Sequence, residues 1–532
     1  MRCEVLTVPG LLRLRAGLDG HRPAVVTDER EISYAQLEES SAAIAQRLIA
    51  AGAAKGARVG LLMQNGIEWV CAAVAVMRIG AVLVPLSTFL RPNELEQQLR
   101  TAAASHLIVT DAFNGRDYLA DVQKVVPTCV GSEAASMCEA TLPSLRRVWP
   151  ASELFPPTRA RGADQHLSGV IEALEHDVSP ADDMVIMFTS GSSGAPKGCI
   201  HTHASAIMGV ATSLSDRGVT GDDRLYLPMP LFWTGGFGMG LMTALLTGCA
   251  LLTEAIPEPG RTLQFISSRK ATLFRGWPDQ AVRIARHPEF ASFDLSALRP
   301  GSLDALLPAH LRARATTARA GLLGMTETFG PYCCYPLDQE LPEGKWGSAG
   351  RVQPHVEVQI VDPDTGDPGP CGRRGAIKVR GPNLLRGICG RMPHEVFDAN
   401  GFYDTGDLGW VDHDGFLFYE GRRDDMVKVK GASVYPSEVE RALQAIPHVA
   451  RAFVTAVRSE TSAETEIGAA VVPAEGCRLD TNQLHSTLRE SLSAFKRPTR
   501  WLILSSEKDV PMLPSGKVDK RALGNALARG GI

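Results

Sequence analysis

The sequence lacks the cysteine and charge patterns that mark several classes of protein. Its eleven cysteines include no CxxC pair, which argues against a cysteine-based metal site and against a disulfide framework. Cys333 and Cys334 are neighbours, a poor geometry for a disulfide, so we expect reduced thiols in a packed segment. The formal net charge of −4 gives no footprint for nucleic acid, which we therefore exclude as a partner.

Long apolar runs are also scarce. The best candidate for a membrane span lies between Trp69 and Leu86, but it contains Arg78 and Gly80, ends close to Pro85 and is barely long enough. We interpret it as a buried helix, a glycine stop and a short buried strand. The first twenty residues also lack the pattern of a signal peptide. The sequence therefore predicts a cytoplasmic protein without a membrane span.

The chain is too long for one ordinary core, so at least two domains are expected. Helical runs and short apolar strands alternate over the first 150 residues and again from about residue 184 to 330, which predicts an α/β fold with two doubly wound sheets. Between them, residues 140–182 are rich in proline, arginine and aspartate and are interpreted as irregular surface. Residues 345–420 carry short strands and turn signals, which predicts a β-rich, barrel-like, largely antiparallel subdomain.

A smaller unit is expected after the segment GRRDD. The stretch YPSEVERALQAI has the pattern of an amphipathic helix, RAFVTAVRS and EIGAAVVP those of strands, and a helix and a basic, proline-containing tail follow. We therefore predict a large domain over residues 1–423 and a small, mobile α+β domain over residues 424–532.

The stretch TSGSSGAPKG, residues 189–198, has the composition of a phosphate-binding loop. The buried strand MVIMFTS precedes it, and THASAIMGVATSL predicts a following helix with Thr202 as its N-cap. Backbone N–H groups between a strand and a helix can point at a phosphate. The spacing is not that of a Walker A loop, because Lys197 follows Pro196 and precedes Gly198. This excludes a P-loop kinase.

Four further motifs occur in order: GMTET at residues 324–328, YDTGD at 403–407, GRRDDMVKVKG at 421–431 and PSGKVDK at 514–520. With the glycine-rich loop, this set resembles the adenylate-forming superfamily of acyl-CoA synthetases, aryl-CoA ligases, luciferases and peptide-synthetase adenylation domains. The resemblance covers nearly the whole chain and is closest to a free-standing acyl-CoA synthetase. It implies that a carboxylate attacks the α-phosphorus of ATP to give acyl-AMP and pyrophosphate, after which coenzyme A takes the acyl group.

The resemblance assigns roles to residues of these motifs. Thr326 should bind the α-phosphate and Glu327 should hold Mg²⁺, a cation that takes carboxylate and phosphate oxygens. Asp407 should accept the ribose hydroxyls, with Arg422 beside it, whereas Arg423 is expected to be a solvated bystander. The β- and γ-phosphates should be held by Thr189, Ser190, Gly191, Ser192, Ser193, Gly194 and Lys197.

Lys517 is the expected main catalytic group, bridging the attacking carboxylate and the α-phosphate. In the family the small domain rotates between the two half-reactions, and Asp424 matches the hinge position. Gly431 should line the tunnel for the thiol. Lys428 is expected to assist acyl transfer, a surface strand lysine being the alternative reading. The neighbouring Lys520 is expected to be plain surface.

The segment PLFWTGGFGMG, residues 230–240, corresponds to the lining of the acid pocket. It has no aspartate to pair with an ammonium, which argues against an amino-acid substrate. Together with Gly324, the aromatic residues Trp233, Phe237 and Trp277 should form a large apolar pocket for a fatty or bulky cyclic acid, ordinary core being the alternative for the aromatics.

The sequence departs from the family in the expected adenine site. Leu323 stands where an aromatic residue before GMTE usually stacks on adenine, and the loop GSLDALLP lacks the usual double glycine. We align Asp304 with this loop, so adenine binding is expected to be rearranged.

Two other functions remain open: an acyl-AMP ligase that loads an acyl carrier protein, and a catalytically silent relative. The presence of Lys517, Glu327 and Asp407 argues against silence. A luciferase-type oxygenation has no supporting feature. The oligomeric state is open, a homodimer included.

Overall fold

The computed structural model describes residues 6–127, 140–155, 165–189, 196–423, 427–429, 432–458, 465–492, 496–513 and 517–530. Its contacts divide the chain into two compact units. The first comprises Met1–Val358, Val379–Tyr403 and Asp414–Leu417, and the second comprises Gln359–Lys378, Asp404–His413 and Phe418–Ile532. None of the described helices is long and apolar enough to cross a membrane.

The first unit contains a mixed sheet. From one edge to the other its strands are Gly387–Ile388, Lys197–Thr202, Asp183–Thr189, Val82–Leu86, Arg58–Leu62, His106–Val109 and Arg147–Pro150. The pairings from Asp183–Thr189 onward are parallel, and the two pairings at the first edge are antiparallel. The middle strands are apolar and buried, as is typical of a parallel sheet covered on both faces.

A second sheet of this unit follows the order Leu273–Phe274, Arg224–Tyr226, Ala250–Leu252, Pro23–Val26 and Glu31–Ser33. All its pairings are parallel except the last. The longer helices described in this unit are Val8–Asp19, Tyr34–Ala50, Ile67–Arg78, Pro92–Thr101, Tyr118–Val125, Gln165–Asp177, His203–Ala211, Pro259–Ser268 and Pro278–Ala285. The predicted α/β class with two wound sheets is confirmed.

The apolar run that could have been read as a membrane span is a core helix followed by a strand, as predicted. Helix Ile67–Arg78 is buried along almost its whole length, and Gly80 in the turn after it has a φ of +70°, which favours glycine. The charge at its end is compensated, because the buried Arg78 donates to Oε1 of Glu175 at 2.5 Å and to Oε1 of Glu38 at 2.9 Å. The three residues thereby tie together three helices.

Residues 319–358 continue the first unit with an antiparallel sheet of strands Leu322–Met325, Gly330–Cys334 and Arg351–Val352. Cys333 and Cys334 lie buried on its middle strand as free thiols, as expected. A further, four-stranded sheet contains the strands Glu357–Val361, Gly375–Arg380, Tyr403–Val411 and Leu417–Arg422.

The rest of the second unit is a small α+β structure. Its sheet contains the strands Val449–Arg458, Thr465–Pro473 and Arg500–Ile503, a hairpin pairs Val427–Val429 with Ala432–Val434, and the helices are Pro436–Gln444, Thr481–Ser491 and Lys520–Gly530. The predicted helix and two strands are confirmed. The basic, proline-containing tail contains two elements that were not predicted: a third strand, parallel to Thr465–Pro473, and a final helix that buries Leu523 and Leu527.

The prediction of irregular surface over residues 140–182 is also wrong. Arg147–Pro150 adds an edge strand to the first sheet, and Gln165–Asp177 is a helix. Ile171 of this helix is buried in the main core. The proline and charge content of the region misled the prediction because an edge strand and a surface helix need few apolar residues.

Candidate active site

The glycine-rich loop joins two antiparallel strands. Thr189 ends the strand Asp183–Thr189 and pairs with Lys197, the first residue of Lys197–Thr202. The prediction that the loop leads directly into a helix is therefore wrong: the helix begins only at His203, after the second strand, with Thr202 as its N-cap, as predicted. The short segment KGCIHT gives a weak strand signal, and its burial comes from pairing across the hairpin. Ser190, Gly191, Ser192, Ser193 and Gly194 lie outside the described residues.

A tight turn presents the side chains of the GMTET motif. Residues Thr326–Thr328 form one 3₁₀ turn after the strand Leu322–Met325, and Phe329, which ends the turn, has a φ of +51°. The backbone approaches its neighbours so closely that a Cβ on Gly330 would lie 2.1 Å from the carbonyl oxygen of Gly209. A Cβ on Gly324 would lie 2.5 Å from the carbonyl oxygen of Gly330. Only glycine fits these positions, so the turn is held by packing from both sides.

Thr326 has two partners that fix its position. The hydroxyl of Thr234 donates to Oγ1 of Thr326 at 3.3 Å, and Nε2 of His201 donates to its carbonyl oxygen at 2.8 Å. Burial lowers the pKa of His201 to about 4, so the imidazole is neutral at neutral pH. The neutral ring of His201 therefore holds the turn through this hydrogen bond and places no positive charge beside it.

Glu327 is a buried acid whose position is also fixed. It is 7% exposed, its Oε1 accepts a hydrogen bond from the hydroxyl of Tyr403 at 3.0 Å, and its carbonyl oxygen accepts one from the backbone N–H of Leu385 at 2.8 Å. Cys199 lies nearby, and burial, followed by the charge of Glu327, raises the pKa of its thiol. The turn therefore presents a carboxylate and a hydroxyl on consecutive residues.

Four aromatic rings meet next to this turn. Trp233 lies 6.0 Å from Trp277, 5.7 Å from Phe232 and 6.3 Å from Phe89 between ring centroids. Phe89 is 50% exposed and Trp277 is 39% exposed, so the set, which we call the aromatic cluster, is not closed core. Phe237, predicted as a wall of the acid pocket, is fully buried and packs against Trp69 and Phe329.

The expected adenine segment carries an ion pair. Asp304 begins a short 3₁₀ turn and its Oδ2 lies 2.5 Å from Nη1 of Arg319. Leu323 lies on the edge strand Leu322–Met325, half-buried. An adenine role for Asp304 stays a prediction.

In the second unit, the structure brings together the two residues predicted to bind ribose. Nη1 of Arg422 donates to Oδ1 of Asp407 at 3.1 Å and to the carbonyl oxygen of Thr405 at 2.8 Å. Gly406 has a φ of +71°, and a Cβ there would lie 2.8 Å from Nη2 of Arg422. Asp407 is buried at 6% exposure. The carboxylate of Asp407 is thus held by an ion pair within the strand Tyr403–Val411.

Arg423 is not the solvated bystander that we expected. Its Nη2 donates to Oδ2 of Asp404 at 2.8 Å, which makes a second, more exposed ion pair beside that of Asp407 and Arg422. Both acidic partners, Asp404 and Asp407, lie on the strand Tyr403–Val411.

The remaining predicted residues are described less fully. Lys517 is exposed, and its carbonyl oxygen accepts a hydrogen bond from the backbone N–H of Leu513 at 2.7 Å, which closes the loop that carries it. Lys428 pairs with Ser433 across the hairpin. Asp424 and Gly431 lie outside the described residues.

Sequence reasoning missed five residues around these sites: Thr234, His201, Tyr403, Phe89 and Phe232. Four of them stand inside or beside motifs that were recognised, so position in the motif was a usable signal for Thr234, Phe232, His201 and Tyr403. Phe89 comes shortly after the carboxyl end of the parallel strand Val82–Leu86. Ligand-binding residues of such sheets are concentrated at this end, so the position of Phe89 was also a usable signal.

Comparisons with known proteins decide the family. A family profile described as AMP-binding enzyme matches residues 12–389, and one described as AMP-binding enzyme C-terminal domain matches residues 438–517. The chain belongs to the AMP-binding enzyme family. It is an adenylate-forming acyl-CoA ligase, which uses ATP to form an acyl-AMP and then transfers the acyl group to coenzyme A. The resemblance drawn from the motifs is confirmed.

Individual relatives of this ligase are similar over their whole length. Feruloyl-CoA synthase of Amycolatopsis sp is 31% identical, covering 95% of this chain and 96% of the relative. Indoleacetate–CoA ligase of Aromatoleum aromaticum is 30% identical over 97% of each. Among solved structures, ATP-bound MatB from Rhodopseudomonas palustris has a TM-score of 0.76 and 25% identity, covering 98% of this chain and 99% of that one. The anthranilate CoA ligase AuaEII with anthranoyl-AMP has a TM-score of 0.79 at 22% identity, covering 99% of both.

Proposed function

We propose that the acid activated by this ligase is hydrophobic and bulky, with a ring system rather than a flexible chain. The observation that carries the proposal is the aromatic cluster. Trp233 precedes Thr234, whose hydroxyl donates to that of Thr326, so the cluster is one residue away from the hydrogen-bond partner of the predicted α-phosphate ligand. The exposed rings of Phe89 and Trp277 make edge-to-face contacts within the cluster, and such rings offer a planar ligand both stacking and edge contacts. Gly324, predicted to line the pocket, adds no space of its own, because the position of its missing side chain is filled by the backbone of Gly330.

The relatives support this class. The printed names of two relatives, feruloyl-CoA synthase and indoleacetate–CoA ligase, and of one structural neighbour, an anthranilate CoA ligase, denote ring-containing acids. The medium-chain acyl-CoA ligase of Rattus norvegicus is 28% identical, so a fatty acid remains the second candidate.

The phosphate chemistry is assigned to the turn and the loop. Thr326 hydrogen-bonds the α-phosphate, and Thr189 and Lys197, at the two ends of the glycine-rich loop, hold the β- and γ-phosphates with the residues between them. Asp407 accepts the ribose hydroxyls while Arg422 holds its carboxylate in place. Fixed donors and charges of this kind stabilise a phosphoryl-transfer transition state without reorganisation.

Glu327 fits the role of a Mg²⁺ ligand. One of its oxygens is engaged by the hydroxyl of Tyr403, and in the described residues no group of three or more His, Cys, Asp or Glu side chains could hold a metal by itself. A single carboxylate that acts together with substrate phosphates is the usual protein contribution to a Mg²⁺ site. The bound ion would neutralise charge on the phosphate oxygens.

Lys517 supplies a positive charge to the attacking carboxylate and the α-phosphate, which repel each other before reaction. Its exposed position in a loop closed by Leu513 suits a side chain that reaches outward. In this proposal residues 424–532 act as the mobile domain, with Asp424 as hinge, Gly431 beside the thiol path and Lys428 in acyl transfer.

The test is ATP–pyrophosphate exchange with a panel of acids: cinnamate, indole-3-acetate and a polycyclic acid against octanoate and palmitate. Exchange with the ring acids at a kcat/KM at least ten times that of the fatty acids would support the proposal, and the reverse order would contradict it. Lys517→Ala should lower exchange by about 10²–10³-fold. The matched control is Lys520→Ala, three residues further along, which should retain activity.

Adding coenzyme A and detecting the thioester by mass tests the second half-reaction separately. A thioester with coenzyme A is the expected product. Exchange without this thioester, together with acylation of an added carrier protein, would move the acceptor to that protein.

A further inference from the structure

Four arginines of the first unit, Arg217, Arg275, Arg299 and Arg319, interact electrostatically, and two of them have acidic partners. Arg299 donates to both carboxylate oxygens of Asp223, at 2.9 and 2.7 Å, and Arg319 lies 2.5 Å from Asp304. These two charges are compensated in the ordinary way, by bidentate or close ion pairs.

Arg217 has no such partner. It is 4% exposed and ends the short helix Leu214–Arg217. Its Nη2 donates to the carbonyl oxygen of Met239 at 3.0 Å and to Oγ1 of Thr243 at 2.8 Å. Its Nη1 is buried and has no hydrogen-bond partner among the described residues. Burial lowers the pKa of Arg217 to about 10, so the group is still a cation at neutral pH.

Arg275 lies next to it. Its Nη2 donates to the carbonyl oxygen of Arg217 at 2.7 Å, while its Nε is buried without a partner in the described part of the chain. Burial, and then the positive charges of Arg217, Arg299 and Arg319, lower the pKa of Arg275 to about 9. Neither Arg217 nor Arg275 forms an ion pair with any described acid. The thiolate of Cys334 would stabilise both guanidinium groups, but the thiol is neutral because burial raises its pKa to about 12.

This arrangement leaves two cations side by side with unsatisfied N–H groups. A buried unpaired charge costs several kcal/mol, and an unmade hydrogen bond adds to that cost. Carbonyl oxygens satisfy only part of the five N–H donors that each guanidinium carries. The missing component is therefore a negative charge that can accept hydrogen bonds.

We propose that Arg217 and Arg275 bind a small inorganic anion of the chloride type inside the first unit. The space argues for a small ion: Gly301, at a φ of +91°, packs so close that a Cβ there would lie 3.0 Å from Nη2 of Arg275. The site tightens the contact between the end of the helix Leu214–Arg217 and the strand Leu273–Phe274, and it does not depend on the identity of the acid substrate.

The direct test is a crystal of the full chain grown with bromide, whose anomalous scattering distinguishes it from water. An anomalous peak within hydrogen-bond distance of Nη1 of Arg217 and Nε of Arg275 is expected. Water density at this position, or a peak only at molar bromide, would overturn the proposal.

A solution test uses thermal stability. Raising sodium chloride from 10 to 200 mM should raise the Tm by about 2–4 °C more than sodium gluconate at the same ionic strength, because a ligand that binds only the folded state stabilises it. Arg275→Met should abolish the difference between the two salts. The matched control is Arg224→Met. Arg224 is a half-buried arginine whose Nε donates to the carbonyl oxygen of Arg269. This variant should show the same difference in Tm between the two salts as the wild type. An equal response to both salts in the wild type would contradict the proposal.

Discussion

The hydroxyl of Tyr403 donates a hydrogen bond of 3.0 Å to Oε1 of Glu327, across 76 positions of the chain. It joins the start of the YDTGD motif to the GMTET motif within the first unit. The phenol occupies one carboxylate oxygen and sets the plane of the carboxylate, which determines where the other oxygen points.

Removing this phenol should weaken the proposed Mg²⁺ site. Tyr403→Phe keeps the ring and should raise the Mg²⁺ concentration for half-maximal pyrophosphate exchange by about 10-fold or more, the usual effect of losing an outer-shell partner. The matched control is Tyr335→Phe, which takes a hydroxyl from a half-buried ring packed on Phe416. If Tyr403→Phe lost stability but kept the wild-type Mg²⁺ dependence, the residue would have a structural role alone.

Phe89 should affect the choice of acid. It is half exposed, so Phe89→Ala is not expected to unfold the protein, but it removes a ring from the aromatic cluster. The KM for a ring acid should rise about 3- to 10-fold, the value of one aromatic contact, while that for octanoate changes less. Steady-state kinetics with both acids, beside the control Leu18→Ala at another exposed apolar position, measures this. Equal losses for both acids would contradict a ring-specific role.

Substitutions of Asp407 and Arg423, which belong to two neighbouring ion pairs, test the assignment of Asp407 to ribose binding. Asp407→Asn removes the charge that accepts from Arg422 and, in our proposal, from ribose. The KM for ATP should rise about 10- to 100-fold, as expected for hydrogen bonds to a charged group. Arg423→Gln breaks the neighbouring pair with Asp404 and should leave the KM for ATP near the wild-type value. Similar effects of the two changes would argue against the ribose assignment.

Two buried histidines predict a loss of stability in mild acid. Burial lowers the pKa of His201 to about 4 and that of His203 to about 3, and Nδ1 of His203 accepts from the backbone N–H of Val8 at 3.2 Å, which a protonated ring cannot do. Asp182 partly offsets the shift of His203 and Lys55 adds to it. Because the unfolded state binds protons first, this stability is present above pH 6.5 and is lost as the pH falls below it.

Between pH 6.5 and 5 each histidine should cost about 1.5 kcal/mol of unfolding free energy. Urea unfolding at several pH values measures the slope. His203→Gln, which retains an acceptor for Val8, should flatten it by about half. The exposed His355→Gln should not change it, and an unchanged slope in His203→Gln would contradict the assignment.

The sequence predicted the parts of this protein whose chemistry is local. The strand Asp183–Thr189, the cap at Thr202 and the helix Pro436–Gln444 carry their signals within a few residues. The motif order also identified the family. The strand Lys197–Thr202 was missed because its burial depends on partners on either side, one of them Gly387–Ile388.

The contacts within the site were less accessible. Tyr403 and Glu327, or Thr234 and Thr326, are brought together by the fold over long stretches of chain, and no periodicity reports such pairs. The same holds for Arg217 and Arg275, whose unsatisfied N–H groups become apparent only when every neighbouring carbonyl and carboxylate has been placed. By contrast, Asp407 and Arg422 lie on adjoining strands, so their proximity followed from the motifs.

The close approach of Gly209 and Gly330 has a consequence for engineering the chain. A Cβ on Gly330 would lie 2.1 Å from the carbonyl oxygen of Gly209, so even alanine there must push the helix His203–Ala211 away from the turn at Thr326. A displacement of about 1 Å at a reacting centre can cost 10²-fold in rate. Variant libraries that keep every predicted ligand-binding residue but change Gly209 or Gly330 will therefore contain mostly folded, inactive proteins. Both glycines should be kept when the acid pocket is redesigned.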